Sequence, residues 1–131
     1  MAGSPPLEAA PVPEWWPYRN QLLITLAAAA VISRGMVSLL MGTVKGDSQH
    51  ADGTSAFVAA MSEVMSLQEG GLRVEAPAIG LTSAALVRQS EVPIEILAWA
   101  HSCHTSSLAC GRCRGCAKHF ETMQDLGIGP Y

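Results

Sequence analysis

The sequence predicts an α/β fold built around a short parallel sheet. Three observations predict it. Helical and strand-like patterns alternate along the chain, the connections between them are short, and the apolar share of 49% is enough for a modest core. Two short strands are too few for a doubly wound sheet that stands alone, so the pattern is typical of half of one. With 131 residues, the chain has the length of one domain or of part of a larger one.

The first third of the chain predicts a helix and a strand after an irregular start. Residues 1–16 are rich in proline and have no hydrophobic period, which predicts a disordered lead. Residues 20–32 are rich in alanine and leucine, so they favour a helix, and Gly35 is a suitable end for it. Residues 36–44 are apolar, short and bordered by glycines, which predicts a buried strand.

A polar loop separates this strand from a second helix and a second strand. The helix is predicted over residues 56–68, with Thr54 or Ser55 as its N-terminal cap. Four of its apolar side chains fall on one face at helical spacing: Phe57, Met61, Val64 and Met65. The second strand is predicted within residues 70–80.

The last third of the chain predicts three helices around a cysteine-rich loop. Thr82 is a suitable cap for a helix that runs to residue 90. Pro93 suits the first turn of a second helix. A final helix over residues 117–126 follows the cysteines, and Gly127 ends it.

Charge and hydropathy exclude two broad classes of partner. A formal charge of −3 does not favour a general nucleic-acid binder. The apolar run from Leu22 to Ile32 is shorter than the roughly 20 residues that span a bilayer. It also lacks the preceding basic stretch of a signal peptide. We therefore expect a buried helix in a cytoplasmic protein, with no membrane partner.

All four cysteines lie within fourteen residues, at the spacing C-x6-C-x2-C-x2-C. Tetrahedral zinc takes four such ligands, and cysteines three apart can present both sulfurs to one ion. The spacing predicts a structural Zn²⁺ site, because four thiolates leave no open position for catalysis. An iron–sulfur cluster and a redox-active C-x-x-C pair are the alternatives, and three nearby histidines can substitute as ligands. The predicted ligands are Cys103, Cys110, Cys113 and Cys116, and the three histidines are His101, His104 and His119.

The stretch "WAHSCHTSSLACGRCRGCAKHFETMQDLG" resembles the C-terminal motif of 7-cyano-7-deazaguanine synthases, in which "SC" precedes a short loop and "CGxCxxC". The resemblance continues upstream and in order. "PYRN" is similar to the family's "PxRN", "LLMGTVKGD" to its next strand and loop, and "EAPAIGLTSAALVR" to its "xAPxxxxTKxEIV" segment. It covers residues 17–127, and the domain is predicted over 17–131 with a zinc loop at 103–116.

The resemblance implies an adenine-nucleotide α-hydrolase-like, PP-loop fold and an ATP-dependent ligase. The family activates the carboxylate of 7-carboxy-7-deazaguanine with ATP, adds ammonia to form an amide, and dehydrates the amide to a nitrile for queuosine synthesis. Its zinc is structural and lies near the substrate pocket. The implied substrate-binding residues in this sequence are Arg19, Asn20, Asp47, His50 and Asp52.

The sequence departs from the family pattern at three places. The 131 residues contain no phosphate-binding "SGGxDS" loop, so we expect ATP and Mg²⁺ to bind only when an N-terminal half is supplied. The family's "YPDCR" corresponds to "HADGT", in which Gly53 and Thr54 stand at the cysteine and the arginine. Ser83 replaces the lysine of "TK". Fewer cations predict weaker binding of an anionic substrate.

Three functions follow from these patterns. The first is the synthase or its C-terminal part, and the second is a divergent amide-forming ligase of a defence system. The third is a non-catalytic zinc-binding module that binds a partner. The unpaired edges expected of a two-stranded sheet predict a homo-oligomer or a partner that carries the PP-loop half.

Overall fold

The computed structural model describes residues 16–129, which form two compact units. The first unit extends to Gly80 and the second begins at Leu81. The predicted disordered lead, residues 1–16, lies outside the described residues except for the exposed Trp16.

The first unit contains two helices and two strands in the predicted order. Helix α1 spans Arg19–Val31 and a 3₁₀ turn over Ile32–Arg34 follows it. Strand β1 is Ser38–Leu40, helix α2 is Ser55–Ser66 and strand β2 is Arg73–Glu75. Two further 3₁₀ turns, Lys45–Gln49 and Ala51–Gly53, connect β1 to α2.

The two strands pair in parallel, with Leu39 opposite Val74. A parallel pair needs a crossover connection, and α2 supplies it. The α/β alternation predicted from the sequence is therefore confirmed for this unit. Its core is an apolar cluster of residues from α1, α2 and β2 and the turn that leads into β2: Ile24, Val58, Met61, Met65, Leu72 and Val74.

Three details of the first unit differ from the prediction. Helix α1 is not buried as a whole, because Ile24 is its buried residue and most of its other side chains are exposed. Strand β1 has three residues instead of nine, and Met36, Val37 and Leu40 around it are exposed rather than buried. An apolar run marks a strand by composition, but its burial depends on what packs against it. On α2, Val64 is 50% exposed, because the buried stripe follows Val58, Met61 and Met65.

Caps confirm the predicted starts of two helices. The Thr54 hydroxyl accepts a hydrogen bond from the Phe57 N–H at 3.3 Å, so Thr54 rather than Ser55 caps α2. The Thr82 hydroxyl accepts from the Ala85 N–H at 3.1 Å and caps α3, which spans Ser83–Ser90. Both caps satisfy backbone donors that have no partner within the helix.

The second unit consists of α3 and two more helices around the cysteine loop. Helix α4 is one short turn, Ile94–Leu97, and Pro93 precedes it as the cap rather than as its first residue. Helix α5 spans Arg114–Leu126 and ends at Gly127 with a φ of 73°, as predicted. It begins three residues earlier than predicted, inside the cysteine motif.

Candidate metal centre and groove

The four cysteine sulfurs of the second unit converge on one point. The sulfurs of Cys103, Cys110, Cys113 and Cys116 all lie within 4.8 Å of one another. Cys110 Sγ is 3.9 Å from Cys116 Sγ, and Cys113 Sγ is 4.0 Å from Cys103 Sγ. These separations exceed the 2.05 Å of a disulfide bond. Four sulfurs at such distances can surround a single metal ion.

The first turn of α5 positions two of the four ligands. Cys113 is the N-terminal cap of the helix, and its sulfur accepts a hydrogen bond from the Cys116 N–H at 3.4 Å. Cys116 lies one turn later and is buried. Because of the C-x2-C spacing, Cys113 caps the helix and the sulfurs of Cys113 and Cys116 lie on the same side of its first turn.

A close approach between α5 and the preceding loop positions Cys103. Gly115 is buried in the first turn, and a Cβ atom at this position would collide with the backbone carbonyl of Ser102. The same Cβ would lie 2.8 Å from the His104 ring. Only glycine lets the loop pass this close to the helix. Cys103 stands between these two loop residues, so the contact sets the distance between its sulfur and the other three.

Hydrogen bonds and burial give the thiols different pKa values. The N–H and hydroxyl of Thr105 lower the pKa of Cys103 from 9.0 to about 5. The Thr105 hydroxyl, with the N–H groups of Arg112 and Cys113, lowers the pKa of Cys110 to about 7. Burial raises the pKa of Cys116 to about 11. Because hydrogen bonds to sulfur stabilise the thiolate, Cys103 and Cys110 are prepared to bind a cation.

The three histidines of this region lie outside the four-sulfur cluster. His101 Nε2 is 3.1 Å from the Ser106 carbonyl oxygen. The backbone N–H of His104 donates to Cys113 Sγ at 3.4 Å, so this residue supports a ligand through its main chain. His119 is buried on α5. Across residues 16–129, the cluster of metal-ligating side chains consists of cysteines alone.

Three of the predicted substrate residues line one groove in the first unit. The groove has a volume of about 370 Å³ and lies between α1 and β1. Arg19, Asn20, Thr43 and Asp47 line it together with apolar side chains. Because residues 41–47 follow the carboxyl end of β1, these polar groups lie where parallel sheets commonly bind ligands. Thr43 was missed by the sequence reasoning, although its position directly after a predicted strand is a usable signal.

The other two predicted substrate residues do not line this groove. Asp52 takes part through its backbone, since its carbonyl oxygen accepts a hydrogen bond from Asn20 Nδ2 at 3.1 Å. Asn20 Oδ1 in turn accepts from Arg19 Nε at 3.4 Å. His50 is the residue between two 3₁₀ turns. The side chains of Arg19 and Asn20 are therefore hydrogen-bonded to each other, and the Asp52 carbonyl fixes the Asn20 side chain.

Two of the positions that depart from the family pattern have structural roles. Gly53 is buried, and a Cβ there would collide with the Asp47 carbonyl oxygen. Thr54 caps α2 and also donates its hydroxyl hydrogen to the Ala51 carbonyl at 2.8 Å. The Asp47 carboxylate accepts a hydrogen bond from the Val44 N–H at 3.0 Å. These contacts hold the loop between β1 and α2 in a tight conformation.

The sequence matches one family model over most of its length. The family model described as "Queuosine biosynthesis protein QueC" matches residues 6–127. The chain belongs to this family. The match includes both the groove residues and the four cysteines, and it confirms the resemblance drawn from the sequence motifs.

Individual relatives share one name. A protein named 7-cyano-7-deazaguanine synthase from Caldicellulosiruptor bescii is 32% identical over 117 residues, which cover 86% of this chain and 52% of the relative. One from Campylobacter fetus is 29% identical over 119 residues, with 86% and 52% coverage. One from Gloeobacter violaceus is 29% identical over 140 residues, with 97% and 59% coverage.

The chain therefore spans a little more than half the length of these curated relatives. No solved structure matches the chain with statistical significance. Within residues 16–129, none of the helices has the length and apolar character needed to cross a membrane.

Proposed function

We propose that the four cysteines hold one structural Zn²⁺ ion. Zinc–sulfur bonds of about 2.3 Å in a tetrahedron separate the sulfurs by roughly 3.8 Å. The sulfur–sulfur distances of 3.9 and 4.0 Å are close to this value. The cysteines of a four-iron cluster each bind a different iron atom and need a wider cage. The narrow cage therefore favours a single ion over an iron–sulfur cluster.

The ion would join the loop before α5 to the start of that helix. Cys103 and Cys110 lie on the loop before α5, and Cys113 and Cys116 lie at the helix start. When bound, the metal supplies cross-linking rather than chemistry, because all four positions are occupied by protein. Arg112, Arg114 and Lys118 would offset part of the negative charge of a tetrathiolate centre.

We further propose that the chain is the C-terminal region of a 7-cyano-7-deazaguanine synthase-like ligase with a PP-loop fold. The observation that carries this proposal is the family match over residues 6–127. The whole enzyme would use ATP and ammonia to convert 7-carboxy-7-deazaguanine to the nitrile. The 131 residues contain no "SGGxDS" motif, so the proposal assigns ATP and Mg²⁺ binding to a segment outside them.

In this proposal the groove of the first unit contributes to binding of the deazaguanine. Arg19 is exposed at the start of α1, and its guanidinium would pair with the substrate carboxylate. Asn20 is held by its bond to the Asp52 carbonyl and would orient Arg19 through their shared hydrogen bond. Asp47 and Thr43 would supply acceptor and donor groups at the carboxyl end of β1.

One observation favours a second candidate, the divergent amide-forming ligase. Gly53 and Thr54 stand at the cysteine and arginine of the family motif, where a side chain at 53 would collide with the Asp47 carbonyl and Thr54 caps α2. Restoration of the arginine at position 54 would remove this cap. A pocket with fewer cations would bind the carboxylate substrate less tightly and would favour arrest at the amide. A zinc module without catalysis is the remaining alternative.

The test restores the absent motif and analyses the product. A "SGGxDS"-bearing segment of a relative is supplied fused or in trans, with ATP, Mg²⁺, ammonium and 7-carboxy-7-deazaguanine, and the product is identified by mass spectrometry. A nitrile supports the synthase and an amide supports the divergent ligase. Arg19→Ala should reduce turnover at least tenfold, whereas Arg34→Ala, which removes an exposed arginine beyond the other end of α1, should not. Absence of deazaguanine-dependent turnover would leave only the zinc module.

A further inference from the structure

The four sulfurs of the metal centre differ in their accessibility and in the source of their hydrogen bonds. Cys116 is buried, whereas Cys103, Cys110 and Cys113 are half-buried. Cys113 Sγ accepts hydrogen bonds from the His104 N–H and the Cys116 N–H, both at 3.4 Å. Donors of this kind belong to the main chain, so they remain when a side chain is replaced.

The Thr105 side chain contacts the sulfurs at both ends of the loop before α5. Thr105 Oγ1 is 3.6 Å from Cys103 Sγ. The same hydroxyl is the largest cause of the lowered pKa of Cys110, so it also lies within hydrogen-bond reach of that sulfur. Residues 104–109 contain no helix or strand, and this irregular loop returns so that one hydroxyl meets its first and its last cysteine.

The direction of this hydrogen bond is fixed once a metal is bound. Either the thiol or the hydroxyl can be the donor between Cys103 and Thr105, but a metal-bound thiolate has no proton and can only accept. A hydrogen bond to a thiolate withdraws charge from the lone pair that would attack an electrophile. Groups that hydrogen-bond to metal ligands in this way orient them and tune their basicity. Thr105 is exposed, so the loss of its hydroxyl would not disturb a packed interior.

We propose that Thr105 is a positioning residue of the metal centre, whose hydroxyl bridges Cys103 and Cys110 and suppresses the nucleophilicity of these two metal-bound thiolates. The inference rests on the Zn²⁺ ion proposed above for the four cysteines. It identifies the two half-buried sulfurs of the loop as the place where an alkylating electrophile attacks the centre. In that reaction a carbon–sulfur bond forms, the leaving group departs with its electron pair, and the thioether that results holds the metal less tightly.

The first experiment measures alkylation of the full 131-residue chain loaded with one equivalent of Zn²⁺. The reagent is iodoacetamide, the leaving group is iodide, and the modified cysteine is located by peptide mass spectrometry. Thr105→Val keeps the shape of the side chain and removes the hydroxyl. It should raise the alkylation rate at Cys103 or Cys110 about threefold or more, because nucleophilicity follows part of the stabilisation that a hydrogen bond gives to the thiolate.

Two further variants separate the hydroxyl from the shape of the side chain. Thr105→Ser keeps the hydroxyl and should restore the wild-type rate. Thr122→Val is the matched control in the same unit, because it removes a hydroxyl that donates to the Lys118 carbonyl within α5 at 2.8 Å. Its alkylation rate should equal that of the wild type.

The second experiment replaces Zn²⁺ with Co²⁺, whose absorption reports directly on the thiolates. A hydrogen bond lowers the energy of the sulfur lone pairs, so its loss should move the thiolate-to-cobalt charge-transfer band to longer wavelength. Thr105→Val should show this shift, and Thr105→Ser and Thr122→Val should not. A merely structural role of Thr105 would leave the band in place. The d–d bands of tetrahedral Co²⁺ should be retained in all variants, which checks that the site is intact.

The outcomes separate this inference from the proposed metal site. A wild type that takes up neither Zn²⁺ nor Co²⁺ rejects the metal site and the inference together. Wild-type alkylation and an unmoved charge-transfer band in Thr105→Val, at one bound equivalent, reject the role of Thr105 alone. The same holds if Thr105→Ser behaves like Thr105→Val. Loss of metal from Thr105→Val but not from Thr105→Ser supports the inference, because only the serine variant retains the hydroxyl.

Discussion

Gly115→Ala should weaken metal binding even though Gly115 is not a ligand. The added methyl group would collide with the Ser102 backbone carbonyl, which cannot move away by a change of rotamer. Overpacking of a tight contact costs up to about 3 kcal/mol, and the helical preference of alanine offsets about 1 kcal/mol of it. A net loss of about 2 kcal/mol remains.

Relief of this strain requires the segment 102–104 to move away from α5, and this segment carries Cys103. Because metal binding and folding are coupled in such sites, the loss should be measured as metal affinity. A loss of about 2 kcal/mol corresponds to a roughly 30-fold weaker affinity. The assay is competition for Zn²⁺ with a chromophoric chelator at fixed pH.

Gly129→Ala is the matched control, since a Cβ at that position in the same unit meets no atom within 4 Å. Its affinity for Zn²⁺ should equal that of the wild type. If Gly115→Ala also binds Zn²⁺ within threefold of the wild type, the contact between α5 and the loop does not position Cys103 and the reasoning is wrong.

Three other predictions concern the metal site and the loop between β1 and α2. Elemental analysis should find roughly one equivalent of zinc in the wild type and none in Cys113→Ser or Cys113→Ala, and in both variants the C-terminal region should unfold. The affinity for Zn²⁺ should fall at least tenfold for each unit by which the pH is lowered below 8. The pKa of Cys116 is raised to about 11, so its thiol must release a proton when the metal binds. An affinity for Zn²⁺ that does not change with pH would refute this. Gly53→Ala should lower the free energy of unfolding by about 1–3 kcal/mol in denaturant titrations, while Gly42→Ala, with open space around its Cβ, should change it little.

Short-range chemistry in the sequence determined the order of the elements and the candidate ligands. Thr54, Thr82 and Gly127 mark helix ends because a cap depends on residues within one helical turn. The four cysteines were recognised as a set by their spacing, and their sulfurs do converge. The family resemblance was equally local, because it depended on short motifs in a conserved order along this one chain.

Tertiary structure decided which of these residues share a site and which surfaces remain open. The spacing of the cysteines does not reveal that Cys113 caps α5 or that Gly115 permits the approach of the Ser102 carbonyl, thirteen residues earlier. Nor does it show that Asn20 binds the Asp52 main chain, 32 residues away. The exposure of β1 is the clearest case, because an apolar strand has the same sequence whether or not another element covers it. Burial is a property of what packs against a residue, and distant parts of the chain determine that only when they fold together.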